Sequence, residues 1–138
     1  MVITPIVNDG RINRSKTTLN KIVAATISLL RKNNNGQIPT AQEIAVKSGV
    51  GIRTVFRHID DMEGLIEEVN RRYLNDLESY IAKNNPKQNS KDQRIEHVIK
   101  ERFYLYNTYQ HVFNLTITSL NNSNAIRTGF IKFNHILR

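Results

Sequence analysis

The stretch from Pro39 to Leu65, PTAQEIAVKSGVGIRTVFRHIDDMEGL, constrains the fold more than any other part of the chain. It reads as two short helices joined by a tight turn and running into a third. Thr40 can cap the first by accepting a hydrogen bond from an orphan backbone N–H. Ala41, Ile44 and Ala45 fall at i, i+3 and i+4, a narrow apolar face of mostly small residues. Ser48-Gly49 breaks that helix, because glycine takes the left-handed conformation that helix ends often need. Val50 then returns to the core, and Gly51-Ile52 opens a second helix whose Val55 and Ile59 face inward. Arg53, Thr54, Phe56, Arg57 and His58 are left looking mostly outward. That composition suits a DNA groove; it also describes a solvated helical hairpin with a chance basic face.

Charge placement bears on that choice. The net charge is +8 over 138 residues. Residues 1–58 hold nine Lys/Arg against Asp9 and Glu43, a balance of +7, whereas residues 59–138 hold eleven against ten acids, a balance of +1. Nearly all the excess lies in the half that carries the paired short helices, as a polyanion-binding face requires. Scattered lysines kept for solubility would spread more evenly.

The remaining segments predict further helices. Residues 1–16 lack a sustained period and contain Pro5 and Gly10, so a flexible arm is expected, its Arg11, Arg14 and Lys16 either reaching phosphates or simply disordered. From Thr17 or Thr18, the stripe Leu19, Ile22, Val23, Ile27 and Leu30 marks a helix to about Lys32. Thr26 is its one polar member and can bond a carbonyl one turn back. Asn33 to Gly36 stops it with residues that tolerate positive φ. A helix opening at Asp60-Asp61, with Asp60 and Glu63 at capping-box spacing, runs on through Leu65, Val69, Tyr73, Leu77 and Ile81 to about Lys83. A polar loop over 84–91 precedes a helix from Asp92 to Tyr109. For Gln110 to Ser119, β-branched and apolar, periodicity alone allows a strand, and the helical context favours a separate short helix. A seventh helix is expected over Ala125 to Arg138.

The ordered series resembles the helix-turn-helix of TetR-family transcriptional regulators. The likeness covers roughly residues 17–70: Ile22-Val23 and Ala24-Ala25, Gly36, Thr40, Glu43-Ile44-Ala45, Ser48-Gly49-Val50, Thr54 to Ile59, then Glu63 and Leu65. It implies an all-α fold: a DNA-binding domain over 17–62, followed over 63–138 by a linking helix and part of a ligand-binding and dimerisation domain. It implies a cytoplasmic repressor that acts as a homodimer on a palindromic double-stranded DNA operator and is released by a small-molecule effector. DNA contacts are carried over to Lys16, Thr17, Thr40, Ile52, Arg53, Thr54, Phe56, Arg57 and His58, with Arg53 and Thr54 near base edges and Thr40, Arg57 and His58 near phosphates. Two departures reduce phosphate contact, Phe56 where the family usually has Tyr and Met62 where it often has Lys. An effector pocket is expected among Phe103, Tyr106, Tyr109 and Phe113, residues that serve equally as helical core.

Family members usually continue for several helices beyond a point like Arg138. A fragment or a short member is therefore expected, self-associating through residues 91–138. A competing reading is an interaction module that heterodimerises with a full-length regulator and reads no DNA; another is a basic protein that binds membranes or nucleic acid without sequence preference. No membrane partner is expected, since no apolar run nears the ~20 residues that a span needs. With no cysteine, no HExxH, no GxSxG and no phosphate-binding loop, neither an enzyme, a metal site nor a cofactor is expected.

Overall fold

A computed structural model of the chain describes residues 10–34, 36–59, 62–84 and 90–136. These form α1 (Gly10–Asn33), α2 (Ala41–Ser48), α3 (Ile52–His58), α4 (Met62–Asn84), α5 (Lys91–Ser119) and α6 (Asn124–Ile136). The fold is all-α, and no described residue lies in a strand.

The apolar stripe of α1 packs as its spacing predicts. Ile22, Val23 and Leu30 are buried, with Leu19 and Ile27 packed against them. Thr26 belongs to this face: its hydroxyl donates to the Ile22 carbonyl at 2.9 Å, so only its carbon surface meets the core. After Leu30 the chain turns through Asn34 (φ 44°) and Gly36 (φ 71°). A Cβ on Gly36 would lie 3.4 Å from the Asn114 backbone, so glycine here serves both the positive φ and a close approach to α5.

The arm expected over 1–16 is corrected in part. Residues 10–16 are the exposed first turns of α1, and residues 1–9 lie outside the described ones. Helix is sustained there by local bonds rather than an apolar stripe: Arg14 Nε donates to the Gly10 carbonyl, Thr17 to Asn13 and Thr18 to Arg14. A search for buried periodicity cannot detect such an extension.

The two helices expected over 92–119 are one. α5 runs 29 residues from Ser90, whose hydroxyl and backbone N–H form a capping box with Gln93. No glycine or proline interrupts it at Tyr109-Gln110. Its β-branched residues are accommodated individually, for Thr116 and Thr118 bond carbonyls one turn back at Val112 and Asn114. The last helix is therefore the sixth. Asp60, the cap expected to pair with Glu63, and most of the loop at 84–91 lie outside the described residues; Glu63 lies in the first turn of α4, Asn84 ends that helix, and Ser90-Lys91 open α5.

α1 packs on α2, α4 and α5, and α6 lies on α4 and α5. One hydrophobic cluster joins Ile44 of α2, Val55 of α3, Val69 of α4, Leu115 of α5 and Ile126 of α6 to the α1 stripe. The short helices thus share a core with the helices behind them. Ser123 fastens α6 to α4: its hydroxyl accepts from the Ile126 N–H and donates to Glu67 at 2.8 Å.

Candidate nucleic-acid interface

The geometry of α2 and α3 follows from two caps and two anchors. Thr40 and Glu43 form a full capping box, with the Thr40 N–H 2.8 Å from the Glu43 carboxylate and the Glu43 N–H 3.3 Å from the Thr40 hydroxyl. At the other end Gly49 takes φ 68° and donates its N–H to the Ala45 carbonyl. Ser48 completes the turn by accepting from the Val50 N–H. α3 is then held by fully buried Val55 and by Ile59, which caps it through an N–H to the Val55 carbonyl.

With those anchors inward, the opposite side of α3 faces water. Arg53, Phe56 and Arg57 are exposed, and Thr54 and His58 are half-buried. Phe56 leaves 58% of its surface exposed and Ile52 39%. Six of the expected contact residues, Ile52, Arg53, Thr54, Phe56, Arg57 and His58, therefore share one seven-residue helix. The face combines two guanidinium groups, a hydroxyl and an aromatic ring.

The other three expected contacts stand elsewhere. Lys16 and Thr17 lie on the exposed first half of α1, which packs on α2 as α3 does. Thr17 already donates to the Asn13 carbonyl at 2.9 Å. Thr40 is at the front of α2, but its hydroxyl lies 2.8 Å from the Glu43 carboxylate, its acceptor, and its N–H points to the same oxygen. A phosphate at Thr40 must therefore displace Glu43. The Glu43 carboxyl is held below its ordinary value, first by the Thr40 N–H and then by the hydroxyl.

Behind this face runs α4, which follows α3 in the chain. Its Leu65, Ile66 and Val69 belong to the hydrophobic cluster that also holds Val55 of α3, and one turn later Tyr73 borders a groove of about 360 Å³. Tyr106, Tyr109 and Phe113 of α5 line that groove with Leu105, Arg102 and Asn134. Tyr73 and Tyr109 meet edge to face at 4.8 Å, and burial pushes the Tyr73 hydroxyl pKa upward. Of the four expected effector contacts, Phe103 is not brought to the groove; it points away and is 70% exposed.

A second recess, polar rather than aromatic, has no counterpart in the sequence reading. It lies where the end of α1 meets α5, with Arg31, Asn34, Asn107, Thr108, Gln110 and His111 around about 320 Å³. Burial, then the charge of Arg31, lowers the His111 pKa. Spacing could not have found it, because its residues come from two helices whose pairing only the fold sets.

Among the described residues no helix is long and apolar enough to cross a membrane. Compared with known proteins, the chain matches no family model, no curated protein and no solved structure.

Proposed function

We propose that the chain is a sequence-specific DNA-binding regulator of transcription: a repressor that acts as a homodimer on a palindromic operator, is released by a small-molecule effector and works in the cytoplasm. The observation that carries this reading is α3 itself, anchored by Val55 and Ile59 with Arg53, Phe56 and Arg57 turned to water. The concentration of positive charge in residues 1–58 and the ordered TetR-like series support it. In this reading the N-terminal end of α3 meets base edges, where Arg53 can bond guanine O6 and N7, and Arg57 holds phosphate.

The groove beside Tyr73 is the proposed effector site. A ligand there touches the helix whose preceding turns, at Leu65 and Val69, pack in one cluster with Val55 of α3. It shifts α2 and α3 only by binding one arrangement of α4 better than another.

A second reading is favoured by one feature, the 58% exposure of Phe56 in the middle of the contact face. An exposed phenyl ring suits a protein partner as well as a sugar-phosphate backbone, so the chain would then be an interaction module that pairs with another regulator. Duplex binding by two variants separates the readings. Under the DNA reading, Arg53→Ala loses about 1–3 kcal/mol of discrimination at one base pair. Arg57→Ala weakens all duplexes alike and lowers the salt slope by about one unit. Variants that leave duplex binding untouched favour the interaction module.

A further inference from the structure

Along α5 the residues Ile95, Ile99, Arg102, Tyr106, Tyr109 and Phe113 recur at intervals of four and three, so they form one line down the helix. α6 covers the C-terminal end of that line, where the Phe113 and Phe130 rings lie 6.2 Å apart. The N-terminal end is open. Ile95 is 50% exposed, Ile99 63% and Tyr106 57%, with Val98 and Phe103 exposed on its flanks. An apolar strip continuous with a packed seam marks a contact surface.

We propose that residues 91–103 of α5 pair antiparallel with the same segment of a second copy of this chain. Charge order selects that occupant. The line begins at Asp92 and reaches Arg102 about three turns later. When two copies cross antiparallel about the midpoint of Ile95 and Ile99, each Ile95 meets the partner's Ile99. The same register sets Asp92 against the partner's Arg102. A parallel pairing sets like charge against like at both positions, which disfavours it. The flanks carry both signs, Lys91, Arg94 and Lys100 with Glu96 and Glu101, and Lys100 lies 2.6 Å from Glu96. A helix that docks on anionic lipid or nucleic acid shows one dominant positive sign instead.

Two helices of about three and a half turns bury on the order of 1,000 Å² in all, the low end for a specific interface, so the dimer is weak and depends on concentration. The pairing supplies the second copy that a palindromic operator requires. The pairing needs no DNA, so it and the DNA reading can fail separately.

The test is sedimentation velocity of the full chain, free of DNA, from low micromolar to near-millimolar concentration. The sedimentation coefficient should rise with concentration. Ile99→Glu should raise the dissociation constant at least about tenfold, because it buries an unpaired carboxylate in an apolar seam. Its circular dichroism should match the parent, since Ile99 is largely outside the core. Asp92→Arg and Arg102→Asp should each weaken association, and the double variant should restore it. A monomer at all concentrations, association indifferent to Ile99→Glu, or a double variant no better than either single one overturns the proposal. So does saturable binding to anionic phosphatidylserine vesicles by a chain that stays monomeric.

Discussion

The Thr116 hydroxyl of α5 lies 2.5 Å from the Asn70 side-chain oxygen of α4, with both residues buried. The Asn70 amide nitrogen in turn donates to the Ile66 carbonyl at 3.0 Å. The Thr116 hydroxyl is also 2.8 Å from the Val112 carbonyl, so its single proton is shared between two acceptors. This pair fixes the register of α5 on α4, because sliding either helix by one turn leaves buried polar atoms unpaired. Leucine and valine contacts alone tolerate such a shift better.

Thr116→Val should therefore cost about 1–3 kcal/mol, as the buried Asn70 oxygen loses its donor. Urea unfolding checks it. Adding Asn70→Leu to that variant should recover part of the loss, since no polar atom then remains buried unpaired.

Thr40→Ala removes the capping hydroxyl of α2 and should cost about 0.5–2 kcal/mol, also read from urea unfolding. It carries a signature in acid. Glu43 titrates below its ordinary 4.5 in the folded chain, so its contribution is present above that value and is lost as pH falls through the depressed one. Glu43→Gln should flatten this part of the stability profile. Thr40→Ala should flatten it less, because the backbone N–H at position 40 remains.

His111 gives an opposite charge change with the same direction in pH. Its folded value lies below 6.5, so the unfolded chain takes up a proton that the folded chain refuses. Stability should be level well above 6.5 and should fall as pH drops from about 6.5 toward the depressed value. His111→Gln should remove that part of the slope when urea midpoints are compared at about pH 7.5 and about pH 5.5.

These sites show what was legible in the residues alone. Thr40, Gly49, Val55 and Ile59 act through local rules of capping, positive φ and spacing, and the structure places all four as those rules require. The register of α5 was not legible. Gln110 to Ser119 has β-branched residues that suit a strand, and tertiary partners such as Asn70 decide in favour of one long helix. The line at Ile95, Ile99 and Tyr106 follows from helical spacing, but periodicity cannot say whether such a face is covered. The structure leaves it open. The recess at Arg31 and His111 depends on how α1 meets α5, which no single segment encodes.

In the proposed function α3 recognises DNA sequence. Fluorescence anisotropy tests it most directly, with the chain titrated into duplexes from its own upstream region and into scrambled duplexes at two salt concentrations. Recognition by α3 should give a preference of about a thousandfold for one upstream duplex, a ratio in the range of specific regulators. Equal and steeply salt-sensitive binding to every duplex, or no binding at low salt, would contradict it.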